Sequence, residues 1–253
     1  MDNVQRSHPG AIALVGSGEY THAMNETDRL LFDTLADPGA ARVALLPTAS
    51  AREEGAPQRW NRMGAEHFAA LGAQVAPLLL LTRDDAADPQ ILAALRAADL
   101  FYFSGGDPQH LVETLRDTPA WDAIRERHAG GAVIAGCSAG AMMLGGYTMG
   151  IRALMNGQPP QWPAALGLLP HIAVMPHFDR AAQFVGEELF RVVIAAAPTG
   201  VTLIGVDEDT ALLHLPAVGW RVLGRQTVSI FDGAGGRAIY HAGDRVPLED
   251  RRS

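Results

Sequence analysis

The stretch of this chain whose residue types and spacing speak most directly of chemistry is Gly136-Cys137-Ser138-Ala139-Gly140. It fits a Gly-x-Ser-x-Gly elbow, with the apolar run Ala132 to Ala135 before it and a small-residue helix start after it. Such an elbow forces its central residue into a strained turn that lifts the side chain above a sheet, and the flanking glycines let neighbouring backbone pass close by. The next N–H, that of Ala139, then points at a reacting carbonyl from a helix N-terminus. The bland alternative is a packing turn. The frame selects the serine over the thiol: Ser138 has glycine at −2 and +2, where Cys137 has Ala135 and Ala139. Cys137 reads as a small buried filler.

A serine hydroxyl needs a base, and the base needs something to orient it. Of nine histidines, His8, His22, His67, His110 and His128 fall in a tail, loops or helices, and His171 precedes a strand. His177 follows Ile172-Ala173-Val174-Met175-Pro176 and opens a loop before a helix. That places it at the carboxyl end of a strand, where open α/β sheets gather their ligands; a capping or core histidine is the alternative. Asp207-Glu208-Asp209 end the strand Leu203 to Val206, and one of the three could receive the imidazole's second N–H. As a bare acidic triplet they would form a solvated turn. Ser104-Gly105-Gly106-Asp107 follows the strand Leu100 to Phe103. Two glycines before a helix start can offer backbone N–H groups to an oxyanion, with Asp107 capping the helix. Gly16-Ser17-Gly18 lacks the third glycine of a dinucleotide fingerprint, and no metal-ligand spacing occurs. No cofactor and no metal are expected.

The elements that must position these residues alternate along the chain. Strands are expected at Ala11 to Val15, Val43 to Leu46, Val75 to Leu81, Leu100 to Phe103, Ala132 to Ala135, Ile172 to Val174 and Leu203 to Val206. Several are apolar throughout, as strands covered on both faces are. Helices are expected near Asn25 to Ala36, Pro57 to Leu71, Pro89 to Ala97, Pro108 to Arg116, Pro119 to His128, Ala139 to Gly145 and Arg180 to Ala197. Proline opens four of them, where a missing N–H costs little. After Ala211, short strand-like pieces split by glycine-rich turns read as an antiparallel extension closing one sheet edge. The irregular segment Gly146 to Pro170 reads as an active-site border or lid.

Composition bounds the rest. The chain has 253 residues, 48% hydrophobic and 19% charged, enough for a sizeable core. We expect a single α/β domain over residues 1–253, with 1–10 a flexible N-terminal tail and 211–253 the antiparallel edge and C-terminal tail. One cysteine rules out an intrachain disulfide framework and fits a reducing, cytoplasmic setting. The longest apolar stretch, Val75 to Leu81, is too short to span a bilayer. A net charge of −8 argues against a nucleic-acid or anionic-membrane partner. All 20 basic residues are arginine, so Schiff-base and phosphate-binding lysines are excluded.

With these pieces in place the chain resembles the peptidase E and cyanophycinase family of serine peptidases, roughly from Ala11 to Ile230. Phe103-Ser104-Gly105-Gly106-Asp107 is similar to the family's Gly-Gly segment, and Gly136 to Ala141 to its nucleophile motif. Leu166-Gly167-Leu168-Leu169-Pro170 is similar to the stretch before the base, Pro176-His177-Phe178 to the histidine motif, and Gly205 to Ala211 to the closing acidic motif. The resemblance implies a flavodoxin-like, mostly parallel sheet with helices on both faces, related to the class I glutamine amidotransferase domain. It implies Ser138 as nucleophile, His177 as base, Glu208 as third member, and Gly106 and Ala139 as oxyanion donors. The substrate it implies is a small peptide or amide cut at an aspartyl or β-aspartyl residue.

Asp107-Pro108 stands nearer to cyanophycinase than to peptidase E, whereas Pro176-His177-Phe178 stands nearer to peptidase E. The cluster of basic residues expected after the histidine is missing, so Glu19, Asp107, Arg152 and Arg180 are candidates for binding the substrate. A ligand-binding relative without activity, and an α/β-hydrolase-type esterase using His214 or His241 as base, are the rival readings. Related proteins often associate and the antiparallel edge offers a surface, so a homodimer is the assembly to consider.

Overall fold

The computed structural model of the chain describes residues 8–150, 154, 156–231 and 236–248, without the side chains of residues 182, 184, 185 and 187. Its strands form two sheets. The first has the order β13-β10-β9-β1-β5-β4-β2-β3 and is parallel over β1 (Ile12–Val15), β5 (Val133–Cys137), β4 (Leu100–Phe103), β2 (Arg42–Leu46) and β3 (Gln74–Pro77). β9 (Thr210–Leu215), β10 (Gly219–Gly224) and β13 (Arg245–Val246) add antiparallel beside β1. The second has the order β12-β11-β8-β7-β6. Here β6 (Gly145–Tyr147), β7 (Leu169–Met175) and β8 (Thr202–Val206) are parallel, and β11 (Thr227–Phe231) and β12 (Arg237–His241) antiparallel. The antiparallel segment expected on one sheet edge is therefore shared between two sheets.

The alternation of side chains along each strand divides the core. One face of the first sheet, with Ala13, Val15, Leu45, Tyr102, Ala135 and Cys137, packs on α1 (Asn25–Asp33) and α2 (Ala56–Ala70). The opposite face, with Ile12, Leu14, Phe101, Phe103 and Ile134, shares a core with Ile172, Val174, Ile204 and Val206 of the second sheet. The helix α6 (Ala139–Leu144), whose residues are all buried, packs between β5 and β7 and so ties the two sheets together.

Three helices start where local chemistry dictates. The helices α3 (Pro89–Ala97), α4 (Pro108–Leu115) and α5 (Pro119–Ala129) each open on proline, after Asp88, Asp107 and Thr118, whose side chains accept from first-turn N–H groups. Two expected elements end early. β3 stops at Pro77, which lacks an N–H, on the sheet's edge where that is tolerated. The helix expected over Arg180 to Ala197 is broken at Gly186 (φ +82°) into α7 (Phe178–Val185) and α8 (Glu187–Ala195). At the N-terminal side, Gly10 is buried and its N–H donates to the His128 carbonyl at 2.9 Å; residues 1–7 of the expected tail lie outside the described residues. No helix among the described residues is long and apolar enough to cross a membrane.

Candidate active site

Ser138 sits between β5 and α6 at φ +52° and ψ −111°, outside the ordinary regions for an L-residue. Such a conformation costs on the order of 1–3 kcal/mol and persists only where its surroundings fix it. They do. Its N–H donates to the Val15 carbonyl at 2.9 Å, and its carbonyl accepts from Ala141 and Met142 N–H at 3.0 and 3.1 Å. The flanking glycines are required by close approach: a Cβ on Gly136 would lie 2.2 Å from the Gly140 carbonyl oxygen, and one on Gly140 2.4 Å from that of Phe103.

Because α6 bridges the sheets, the residues ending β7 and β8 face its first turn. His177 follows β7 with φ +49°, and its Nε2 lies 3.1 Å from Ser138 Oγ. Its Nδ1 lies 3.0 Å from Glu208 Oε1, just beyond β8. Hydroxyl, imidazole and carboxylate are thus in line, partly shielded from solvent. Of the acidic triplet only Glu208 reaches the imidazole. Asp207 is buried and accepts from Thr227 N–H at 3.0 Å, pinning the turn to β11, and Asp209 pairs with Arg225 at 3.5 Å. His214 is buried against Trp220, with ring centroids 5.0 Å apart, and His241 lies on the edge strand β12, so the imidazole beside Ser138 is that of His177.

Other candidates from the sequence are placed differently. Arg180 donates from Nε to Glu208 Oε2 at 2.9 Å and so stands behind the carboxylate. Glu19 is turned inward: Oε1 accepts from Gly105 N–H at 3.0 Å and Oε2 from the Cys137 thiol at 2.9 Å. Asp107 caps α4 through Oδ1, and its Oδ2 lies 3.3 Å from Arg52. Arg152 lies outside the described residues. Gly106 has φ +142°, and a Cβ there would lie 2.4 Å from the Ala49 carbonyl oxygen, so only glycine fits. Among the described residues neither Gly106 nor Ala139 has a protein acceptor for its N–H, whereas that of Gly105 is taken by Glu19. Gly106 and Asp107 line a cavity of about 200 Å³ with Thr148, Met149, Gly150 and Pro163, so the irregular segment borders that cavity.

Burial first, and then the neighbouring Glu19 charge, pushes the Cys137 thiol well above its ordinary pKa. It stays a thiol at neutral pH and turns away from the reacting face. The sequence missed two residues that hold the acid. Asp179 Oδ1 accepts from Glu208 N–H at 2.9 Å, and Gln226 Nε2 donates to the Glu208 carbonyl at 3.0 Å. Asp179 was findable as the acid two residues past the histidine; Gln226, in a turn 18 residues past Glu208, gave no signal.

A hydroxyl, an imidazole and a carboxylate so arranged at the carboxyl ends of parallel strands are the equipment of a serine hydrolase. A model of peptidase family S51 matches residues 12–215. The cyanophycinase of Trichormus variabilis is 30% identical over 231 residues, 88% of this chain and 73% of that protein. That of Synechococcus elongatus is 31% identical over 200 residues, 76% of this chain and 59% of that protein. A solved peptidase from an acI-B1 Actinobacterium superposes with a TM-score of 0.85 at 32% identity, over 96% of this chain and 99% of its own. A solved putative peptidase E from Listeria monocytogenes superposes at 0.61 and 19% identity, over 86% of this chain and 100% of its own, a likeness of fold. The chain belongs to peptidase family S51, a family of serine peptidases.

Proposed function

We propose that the protein hydrolyses a small peptide or amide, on the carbonyl side of an aspartyl or β-aspartyl residue, through an ester on Ser138. The observation that carries this reading is the unbroken line from Ser138 Oγ to His177 Nε2 (3.1 Å) and from His177 Nδ1 to Glu208 Oε1 (3.0 Å). Glu208 keeps the proton on Nδ1, so Nε2 is free to accept the Ser138 proton as Oγ bonds to the substrate carbonyl carbon. The resulting oxyanion is held by the N–H groups of Gly106 and Ala139. As the C–N bond breaks, the Nε2 proton passes to the departing amine. Water then attacks the ester and gives its proton to His177; the acid leaves and Ser138 regains its hydrogen.

The acidic preference is supported by the cyanophycinase relatives, which match over most of the chain. Screening a dipeptide library with α- and β-aspartyl linkages against wild type and Ser138→Ala tests the reading. Release of free aspartate by wild type alone is the expected result. Equal turnover by both proteins overturns the serine, and turnover confined to non-acidic peptides overturns the substrate class.

A further inference from the structure

A buried carboxylate stands behind the reacting face without entering the catalytic line. Glu19, just past β1, is 8% exposed. Taking a carboxylate out of water is costly unless its oxygens find donors. None of the ion pairs among the described residues involves Glu19, so the compensation comes from the Gly105 N–H at 3.0 Å and the Cys137 thiol at 2.9 Å. These are the residues immediately before Gly106 and Ser138. One oxygen therefore holds the loop that carries one oxyanion donor, and the other holds the end of the strand that carries the nucleophile.

Glu19 and Ser138 both lie beside Gly105. A Cβ built on Gly105 would lie 3.3 Å from Glu19 Oε1, 3.3 Å from Ser138 Cβ and 3.6 Å from Ser138 Oγ. Carboxylate and hydroxyl thus both border the space that a side chain on Gly105 would fill. Two consecutive glycines are the least constrained backbone a chain can offer, and an oxyanion donor is useful only if fixed before the charge develops. The far end of the pair is fixed by the Asp107 N–H on the Ala49 carbonyl at 2.8 Å. At the near end the Ser104 N–H reaches the Leu46 carbonyl only at 3.4 Å, and the Gly105 N–H itself is held by Glu19 at 3.0 Å.

We propose that Glu19 is a positioning residue that sets the distance between the Gly106 N–H and Ser138 by tying Gly105 to Cys137. The inference rests on the reading of Ser138 as nucleophile and Gly106 as oxyanion donor. Glu19→Met keeps the length and loses both acceptors. Glu19→Gln keeps an oxygen for Gly105 and turns its amide towards the thiol. The readout is phosphonylation of Ser138 by a fluorophosphonate: Oγ bonds to phosphorus through a five-coordinate transition state, fluoride leaves, and the phosphoryl oxygen takes up the same N–H donors without requiring a known peptide. In Glu19→Met the maximal rate falls about thirtyfold, against the 10²–10³ of losing a donor outright. The concentration for half-maximal rate stays within about twofold, and Glu19→Gln recovers to within about threefold of wild type.

Equal rates for Glu19→Met and wild type overturn the inference, as does a Glu19→Gln as slow as Glu19→Met. Should Glu19→Met fail to fold, Cys137→Ala and Cys137→Ser decide. The hydroxyl retains the tie and the methyl does not, so a slower Ala variant supports the inference and equal rates overturn it. Wild type that takes no label removes the nucleophile reading itself, and with it the role given to Glu19.

Discussion

Replacing Glu208 by glutamine should do more harm than the loss of one charge, and removing Arg180 as well should undo part of it. The carboxylate serves two donors at once, His177 Nδ1 at 3.0 Å through Oε1 and Arg180 Nε at 2.9 Å through Oε2. A glutamine has only one oxygen. The guanidinium has no acceptor to offer an NH₂ group, so the amide oxygen turns to Arg180 and the NH₂ to His177. Nδ1 must then accept, the proton moves to Nε2, and Ser138 faces a donor instead of a base. A wrong tautomer of this kind costs about 10⁴ in rate in a well-studied serine protease, and a loss of about 10³–10⁴ is expected here. In Glu208→Gln/Arg180→Ala the oxygen is free to face Nδ1. The remaining deficit is that between a charged and a neutral hydrogen bond, about 1–2 kcal/mol or roughly 5–30-fold. The double variant should therefore be about 10²-fold faster than the single one. Arg180→Ala alone should stay within about fivefold of wild type, because Arg180 is 56% exposed and such pairs are worth little. Initial rates on an activated ester measure all four proteins. A double variant no faster than Glu208→Gln, or a Glu208→Gln within threefold of wild type, refutes the reasoning.

Further predictions concern the supports of the site. Gly106→Ala puts a methyl 2.4 Å from the Ala49 carbonyl oxygen at φ +142°, and should lower the ester rate at least 10²-fold with a drop in melting temperature. Asp179→Ala leaves the Glu208 N–H without its acceptor and should cost about tenfold in the same assay. Cys137 should resist iodoacetamide in the native protein and react once urea unfolds the chain, as peptide mass spectrometry would show. Burial first, then neighbouring acidic groups, raises Tyr20 and Tyr102 as well as Cys137. Above about pH 8.5 the unfolded chain loses protons that the folded one keeps, so the stability these groups contribute is full below that pH and falls as pH rises. Urea midpoints at pH 7, 9 and 10 should decline in that order, and less steeply in Cys137→Ala between pH 7 and 9.

What was legible in the sequence is what short-range physics decides. Proline after Asp88, Asp107 and Thr118 fixes three helix starts, and the all-apolar, aromatic-rich run Leu100–Phe103 reads as a strand covered on both faces. The tight turn that carries Ser138 was legible because Gly136 and Gly140 are demanded by backbone passing within a Cβ's reach, a constraint that shows as spacing. His177 and Glu208 were legible by their places after strands. The partition into two sheets was not, since nothing local tells β9 and β10 to join β1 while β11 joins β8. The direction of polar side chains was equally hidden. Arg180 and Glu19 looked free to meet a substrate, and only the packed structure turns one onto Glu208 and the other onto Gly105 and Cys137. Gly205 is a similar case: a Cβ there would lie 2.3 Å from the Phe178 ring, and it is the seat that fixes the residue after His177.

The central claim is that the imidazole of His177 activates the Ser138 hydroxyl. Peptide mapping of the protein after brief exposure to a fluorophosphonate, in wild type and in His177→Ala, tests it most directly. The account predicts one added mass on the peptide that holds Ser138 in wild type, and essentially none in the variant at the same exposure. A label on Cys137 or another serine, or equal labelling of Ser138 without the imidazole, contradicts it.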